Sequence, residues 1–483
     1  MSEPNSSRND NNPRGESDKL KPNITRRQFL VALGATMAGL GLEACAPKSG
    51  SAPAAQGAKA AAVTNTSAPV AQTSQPAAAS TSAPAVVKSS SVDYWTFLDP
   101  KGTDARSKAQ NMMLDSFKKK YPNINVNVTV FPWQQIDQQL TQAVKAGKAP
   151  DLSRANLALM AQHAAANDLM PLDQYVSGWS AQQKDQFVTP WDTTVFNGHK
   201  LSFFIECRCY PLMYRKDLIK DLPQSWDELG QIGAKLTKPP VYGVVVPLSQ
   251  KGHASGLYEW LFPTLWGAGG DYFTSDGKAA FAGDAGVKAY QLLYDLVNKY
   301  KAMPASAASA DIEAVTQNMM AGTQTMGIIG THRITFMWTG KATTKDHLGI
   351  GYIPSFDKGK PSPTFSDGWQ AVIARGAKNP DGAWTLMQHI LDPESQLTNV
   401  KVGGELPSVK AVLDDPWFKS PDGADFAFAL SYLNQSKKNV SFPATWNQLM
   451  DDLATAAQQV IAGQRSPADA LTAVAKEFDS WKS

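Results

Sequence analysis

Tryptophan and carboxylate side chains stand where predicted strands end, and their chemistry is suited to noncovalent binding. Trp95 lies at the end of the strand predicted over 92–97, and Asp99 follows it closely. Trp133 comes just after a second predicted strand, over 124–130. Ligands of parallel sheets bind beyond the carboxyl ends of the strands. Because a tryptophan face packs on apolar ring surfaces and a carboxylate accepts hydrogen bonds, these positions predict a binding edge.

A run of alternating residue types indicates a second functional segment. Glu206, Arg208 and Tyr210 would share one face of an extended chain, with Cys207 and Cys209 on the other. Glu206 and Arg208 are either ligand contacts or a mutual salt bridge, and both interpretations stay open. Thiols at positions i and i+2 of a strand lie close to the upper limit of Cα separation for a disulfide. We therefore expect buried thiols rather than a strained disulfide or a metal pair.

Sequence motifs of common enzyme classes are missing. The chain has no His-Glu-x-x-His, no Gly-x-Ser-x-Gly, no phosphate-binding lysine loop and no Gly-x-Gly-x-x-Gly after a strand. Its six histidines show no paired ligand spacing, so neither a metal nor another cofactor is expected. The 46 basic and 43 acidic residues give a net charge of +3, which argues against a nucleic-acid partner. The sequence favours a binding protein over an enzyme.

The elements that would position these residues alternate between strand and helix. Helices are predicted over 105–121 and 134–146, because a proline and a glycine end them. Ser225 to Glu228 forms a capping box, and Ser466-Pro467 begins the last helix. Strands and helices at this spacing predict an α/β fold with a largely parallel sheet.

The first 44 residues have the features of an export signal. Arg26 and Arg27 precede an apolar stretch that is too short for a membrane-spanning helix. The arginine pair resembles a twin-arginine signal, and residues 42–45 resemble a lipobox with cleavage before Cys45. We predict that 1–44 is a twin-arginine lipoprotein signal peptide and that Cys45 is lipidated. Cleavage by an ordinary signal peptidase is the alternative.

The composition changes abruptly after this signal. Residues 45–91 consist mainly of Ala, Ser, Pro and Thr, with no aromatic or acidic side chain. Such a segment has too little apolar surface to offset chain entropy, so it predicts a disordered tether. A flexible coil of this length spans roughly 35–40 Å between its ends.

Nine short motifs follow one another in order across 92–483, and together they resemble a known family. The motifs are 117–124, 147–152, 170–173, 197–200, 212–218, 223–229, 266–271, 379–384 and 463–471. In this order and spacing the chain resembles the extracellular solute-binding proteins of ABC importers, family 1. This is the sugar-binding group that includes maltose-binding-protein-like lipoproteins.

The resemblance implies a two-lobe periplasmic-binding-protein (type II) fold with hinge strands and a ligand cleft between the lobes. It implies chain crossings near 205–212, 369–375 and 413–418. The predicted domains are the signal peptide 1–44, the tether 45–91, an N-terminal lobe of 92–206 plus 374–414, and a C-terminal lobe of 207–373 plus 415–483.

The resemblance also implies which side chains face the cleft. A sugar presents C–H faces for stacking and hydroxyls for hydrogen bonding, so aromatic and polar residues near strand ends and hinges are candidates. The predicted ligand-binding residues are Trp95, Asp99, Trp133, Arg154, Asn156, Glu206, Arg208, Tyr210, Tyr258, Trp260, His332, Arg333, Trp369 and Trp446. In a chain with 13 Trp and 13 Tyr, each aromatic is alternatively a core residue.

The predicted function is that of a monomeric, lipid-anchored receptor at the outer face of the cytoplasmic membrane. It would capture a sugar or oligosaccharide by hinge closure and deliver it to ABC importer permease subunits. Two alternatives stay open. The first is an exported lipoprotein glycan hydrolase, which would need two cleft carboxylates about 5–9 Å apart. The second is a sugar sensor with the same fold.

Overall fold

Two mixed β-sheets and a short hairpin contain the strands. The computed structural model describes residues 90–436, 440 and 442–481, all of which belong to one compact unit, Ser82–Ser483. Its strands are β1 (Ser90–Thr96), β2 (Ile124–Val130), β3 (Leu152–Asn156), β4 (Val195–Phe196), β5 (His199–Lys200), β6 (Phe203–Phe204), β7 (Leu212–Arg215), β8 (Tyr242–Val244), β9 (Gln324–Ile328), β10 (Leu348–Gly351) and β11 (Trp369–Ile373).

Helices connect and cover the sheets. In chain order they are α1 (Ala105–Lys120), α2 (Ile136–Lys145), α3 (Met160–Ala166), α4 (Asp173–Val176), α5 (Ala181–Lys184), α6 (Trp226–Leu236), α7 (Leu257–Gly267), α8 (Asp284–Asn298), α9 (Ile312–Ala321), α10 (Ile334–Met337), α11 (Pro380–Leu391), α12 (Pro393–Lys401), α13 (Ala424–Ser436), α14 (Trp446–Ile461) and α15 (Pro467–Ser480). Short 3₁₀ turns complete the chain.

The first sheet contains the early strands and one strand that returns from much later in the chain. Its order is β2-β1-β3-β11-β6. Strand β1 is parallel to β2 and β3, whereas β11 is antiparallel to both β3 and β6. The register places Trp369 opposite Asn156, so two predicted ligand-binding residues lie side by side at one end of the sheet.

The second sheet has the order β10-β7-β9-β8. Strand β7 is antiparallel to both β10 and β9, and only β8 and β9 run parallel. In the first sheet β11 runs against the other four strands, and in the second sheet β7 runs against the other three. Most strands of each sheet therefore share one direction, as predicted. The two exceptions, β7 and β11, each follow a segment that crosses from the other sheet.

Local capping signals specify the helix ends. Asp104 caps α1 by accepting from the amides of Arg106 and Ser107. Ser466 caps α15, whose first residue is Pro467, as predicted. The Ser225 hydroxyl accepts from the amide of Glu228 at the start of α6. The Glu228 carboxylate accepts from Gln224 instead of Ser225, so only half of the predicted capping box forms as expected.

Hydrogen-bonded segments connect the two sheets. The amide of Cys207 donates to Leu406, and the amide of Arg208 donates to Asp367. These bonds hold the segment between β6 and β7 beside the segment that enters β11. Cys207 and Cys209 are buried thiols without a disulfide between them, as predicted. Burial raises the pKa of Cys209 to about 12, which makes its thiol chemically inert at neutral pH.

The hydrophobic core is divided by the first sheet. The smaller cluster covers one face of this sheet and includes Val92, Phe117 and Ile373. The larger cluster starts on the opposite face, continues through the crossing segments and fills the helices around the second sheet, where Trp260 and Trp446 are fully buried. Because the larger cluster continues through the crossing segments, hydrophobic packing helps to hold these segments side by side.

The predicted signal and anchor residues, Arg26, Arg27 and Cys45, lie outside the described residues, as does nearly all of the predicted tether. Within the described ranges, no helix combines the length and apolarity that a membrane crossing requires.

Candidate functional site

A cavity of about 660 Å³ lies where the elements of the two sheets meet. This volume is in the range of small-molecule binding sites. From the first-sheet side it is lined by the segment after β1, the start of α1, the residues after β2 and the end of β3. From the other side it is lined by residues of α7, α9 and the turn after β9. Arg208 and Trp369, from the crossing segments, form its base.

Aromatic rings form much of the first-sheet wall. The ring of Phe97 packs on Trp369 with centroids 4.4 Å apart. Trp133 lies at the opposite rim, and its ring meets His253 of the second-sheet side edge-on at 5.9 Å. Burial opposes ionisation of Glu313, on the second-sheet side, but Arg333 and the nearby Trp133 lower the pKa of Glu313. The two walls therefore touch at Trp133.

A buried carboxylate organises the charges beneath the cavity. Glu206 is fully buried and accepts from Arg106 (2.8 Å), Arg154 (2.9 Å) and Arg208 (3.0 Å). Burial alone would raise the pKa of Glu206, but the three guanidiniums outweigh it and lower the pKa to about 2. Glu405 also pairs with Arg106, yet burial and the nearby Glu206 charge raise the pKa of Glu405 to about 7. Arg106 and Arg208 thus line the cavity while each holds a buried carboxylate, and the three guanidiniums outnumber Glu206.

Two tyrosines converge on a second buried carboxylate. The hydroxyls of Tyr210 and Tyr258 donate to Asp367 at 2.6 Å and 3.0 Å. Burial raises the pKa of Asp367 despite these bonds and the nearby Arg208. Tyr258 lines the cavity, whereas Tyr210 lies behind it and stacks on Phe365 at 4.4 Å.

The second-sheet wall carries one tight ion pair and two neutral imidazoles. Arg333 binds Glu313 through two bonds, of 2.9 Å and 2.7 Å. Burial, together with the charges of Arg208, Arg333 and Arg106, lowers the pKa of His332 well below its usual value. Burial also lowers the pKa of His253, whose Nδ1 lies 3.1 Å from Asn447. Both histidines are therefore neutral at pH 7.

A buried network of charged side chains holds the backbone amide of Asn156. Asp137 Oδ1 accepts from the amide of Asn156 (2.9 Å) and contacts His163 Nε2 (3.0 Å), while His163 Nδ1 contacts Asp168 (3.0 Å). Burial opposes charge on His163, but the two carboxylates raise its pKa to about 9. The protonated ring therefore links α2 and α3 to the end of β3.

Seven of the predicted ligand-binding residues line the cavity. They are Trp133, Asn156, Arg208, Tyr258, His332, Arg333 and Trp369. Arg154, Glu206 and Tyr210 lie in the layer beneath it and contact lining residues or their partners. Of the two interpretations left open for Glu206 and Arg208, the mutual salt bridge is present in the structure.

The other predicted residues lie away from the cavity. Trp95 packs on Phe131 at 4.5 Å, and the Asp99 carboxylate accepts from the amide of Lys101 at the surface. Trp260 packs on Trp226 at 5.1 Å in the core of the second-sheet side. Trp446 also lies in that core and stacks on Phe262.

Sequence reasoning missed most of the charged lining. The additional lining residues with polar or aromatic side chains are Phe97, Thr103, Asp104, Arg106, Lys108, His253, Glu259, Glu313, Thr335, Phe336 and Thr339. Asp104 and Arg106 could have been found, because a helix N-cap directly after a parallel strand lies at the binding edge. Glu259 stands between two residues that were predicted.

These features define a two-lobed ligand-binding protein with its cavity at the hinge. The model of the bacterial extracellular solute-binding protein family matches residues 99–397. The chain belongs to this family, and the resemblance drawn from its motifs is confirmed.

Three individual proteins are similar to this chain over most of its length. A binding protein of Brucella abortus is 21% identical over 373 residues, covering 76% of this chain and 87% of the relative. Maltose-bound MalE3 of T. maritima superimposes with a TM-score of 0.70 at 20% identity, covering 81% of this chain and 100% of that one. A solute-binding protein of Thermotoga lettingae bound to α-D-tagatose gives 0.69 at 22% identity, covering 81% and 99%. The predicted two-lobe, type II α/β fold is confirmed.

Proposed function

We propose that this protein is an extracytoplasmic receptor that captures a sugar or oligosaccharide in the hinge cavity and delivers it to an ABC importer. The observation that carries the proposal is the cavity itself, which joins aromatic faces with hydrogen-bonding side chains at the meeting of two lobes. The maltose and tagatose bound by structural relatives support a carbohydrate ligand.

The arginines around the cavity already have carboxylate partners. Arg333 is paired with Glu313, and Arg106 and Arg208 share Glu206 with Arg154. A neutral ligand can therefore form hydrogen bonds with these guanidiniums without displacing a carboxylate. Aromatic faces such as Trp133 and Trp369 supply apolar contact for the C–H faces of a sugar ring.

Hinge closure is the proposed capture mechanism. A ligand that contacts both walls stabilises the closed state by its differential affinity for that state. We infer an N-terminal lobe of 92–206 plus 374–414 and a C-terminal lobe of 207–373 plus 415–483, with β11 as part of the hinge. A permease that recognises the closed arrangement would then couple capture to import.

The proposed location rests on the sequence of the N-terminal segment. Arg26 and Arg27 would direct export, Cys45 would carry the lipid anchor, and 45–91 would serve as a tether at the outer face of the membrane. We propose a monomer that needs no catalytic group.

Thermal unfolding with a carbohydrate panel tests the proposed function. A ligand at 100 times its dissociation constant stabilises a protein by about 2.7 kcal/mol. We expect at least one neutral sugar to raise the melting temperature of the mature protein in a concentration-dependent way. A panel of mono- and oligosaccharides, polyols and sugar phosphates that leaves the melting temperature unchanged would contradict the proposal, and release of hydrolysis products would favour the hydrolase alternative.

A further inference from the structure

Glu259 is a carboxyl group in the cavity wall that the proposed function does not yet use. It is the third residue of α7, its exposed fraction is only 4%, and it lines the cavity beside Tyr258. Oε2 of Glu259 is buried, and among the described residues no hydrogen-bond donor contacts this atom. The group therefore has an unsatisfied oxygen at the edge of a binding site.

The cations near Glu259 are committed to other carboxylates. Arg333 binds Glu313 through two hydrogen bonds, and Arg208 binds Glu206. The titratable and charged groups that face Glu259 are Arg208, Arg333, Glu313, Asp367, Tyr210 and Tyr258. Both cations among them are held by other carboxylates, so neither is free to pair with an ionised Glu259.

A buried carboxyl without a cation keeps its proton, because ionisation in a poorly solvated site is costly. Burial raises the pKa of Glu259 to about 8, with Asp367 adding to the effect and Arg333 opposing it. At pH 7 the side chain is therefore mostly a carboxylic acid, which is both a donor and an acceptor of hydrogen bonds.

Other buried polar atoms in residues of the cavity wall also lack a hydrogen-bond partner among the described residues. His253 Nε2 and His332 Nδ1 are buried and, within the described part of the chain, have no hydrogen-bond partner. Both imidazoles are neutral at pH 7, as argued above. Nε of Arg208 and of Arg333 are also without a hydrogen bond, but both guanidiniums are held by carboxylates. Near Glu259 the wall thus presents two neutral imidazoles and two guanidiniums that carboxylates already hold.

We propose that Glu259 binds the ligand as a neutral carboxylic acid, donating its proton to a ligand oxygen and selecting an uncharged, hydroxyl-bearing molecule. This inference rests on the proposed function and specifies the ligand class for the same cavity. A cationic ligand would instead require the ionised form, which the site disfavours.

The proposal has a defined pH dependence. The protonated acid is the binding form, so affinity is constant while Glu259 holds its proton and decreases once the proton is lost. Above the pKa, the competent fraction falls about tenfold per pH unit. We expect the dissociation constant of a neutral sugar to rise about tenfold between pH 7 and pH 9.

Calorimetric titration of the full mature chain tests this dependence. The probes are maltose, maltotriose, tagatose and ribitol, and the strongest binder at pH 7 is followed to pH 9 at constant salt. Glu259→Gln keeps a donor and an acceptor at every pH. This variant should bind the sugar within a few-fold of wild type at pH 7, and its affinity should not fall between pH 7 and pH 9. Asp104→Asn is the matched control, because Asp104 also lines the cavity but its pKa is lowered. This variant should keep the decline.

Infrared difference spectra give a readout that does not need a ligand. The ligand-free protein at pH 7 should show the C=O band of a protonated carboxyl that Glu259→Gln removes and Asp104→Asn retains. A flat wild-type pH profile, an unchanged decline in Glu259→Gln, or absence of this band would each overturn the role of Glu259. If one of the sugars binds in these cases, the proposed function survives. If none of the four probes binds at pH 7, both the inference and the sugar assignment fail.

Discussion

At the scale of single residues, Glu206 is the charge that connects the crossing segment between β6 and β7 to α1 and β3. It accepts from three guanidiniums and is fully buried, whereas Arg106 and Arg208 reach the cavity. Removing one partner of a buried ionic network leaves uncompensated charge, which costs far more than the pair itself contributes.

Glu206→Gln should therefore destabilise the protein by about 3–5 kcal/mol. Urea unfolding at pH 7 measures this change. Asp276→Asn is the control, because Asp276 pairs with Lys278 on the surface, and it should leave the midpoint unchanged. A Glu206→Gln protein as stable as the control would contradict the assigned role.

Two tryptophans at strand ends differ in what they contact. Trp133 lines the cavity and is only partly buried, whereas Trp95 packs on Phe131 away from it. Trp133→Ala should weaken the binding of a neutral sugar by about 2 kcal/mol, roughly 30-fold, because it removes an aromatic contact at the site. Trp95→Ala should leave the affinity nearly unchanged. Titration calorimetry of both variants decides this, and equal losses of affinity would contradict the cavity assignment.

At the scale of elements, His163 joins α2, α3 and the end of β3 through Asp137 and Asp168. Its pKa in the folded state is raised to about 9, from an ordinary value of 6.5. Stability from this proton is fully present below pH 6.5 and is lost as the pH rises through 9.

His163→Gln should remove that part of the pH dependence, which amounts to about 3 kcal/mol. The measurement is the free energy of unfolding of wild type and variant at pH 6 and pH 9.5. Glu259 and Glu405 also favour the folded state at low pH, but both remain in the variant, so the difference isolates His163. His199→Gln, at an exposed pair, should behave as wild type. Parallel pH profiles for wild type and His163→Gln would contradict this account.

Elements with a strong local signal could be predicted from the sequence. The alternation in β2, the Ser466 cap and the breaks after α1 and α2 act within a few residues, so the bounds of these elements agree closely with the expected ones. The antiparallel insertion of β11 could not be predicted, because it depends on pairing with β3 more than 200 residues earlier.

The direction in which individual side chains point was harder to predict, because it also depends on contacts between distant parts of the chain. Trp95 and Phe97 are two residues apart and would share one face of a continuous strand, but β1 ends at Thr96. Phe97, in the segment that follows, lines the cavity, and Trp95 does not. On α7 a single step rotates the side chain by about 100°, which places Glu259 in the wall and Trp260 in the core. The sequence therefore indicated which segments line the site, but not which of their side chains point into it.

At the scale of the whole molecule, the cavity is bounded by both lobes, and its walls already touch at Trp133 and His253. A ligand between them would gain contacts from both sides, which is the physical basis of capture by closure. The two-lobe fold of the family has the same arrangement.

Titration calorimetry of the mature protein with neutral sugars, followed by mass analysis of the recovered ligand, tests whether the cavity binds a sugar without cleaving it. We expect saturable binding of one sugar per chain, with the sugar recovered intact. A protein that binds no carbohydrate, or that returns cleaved products, would contradict this expectation.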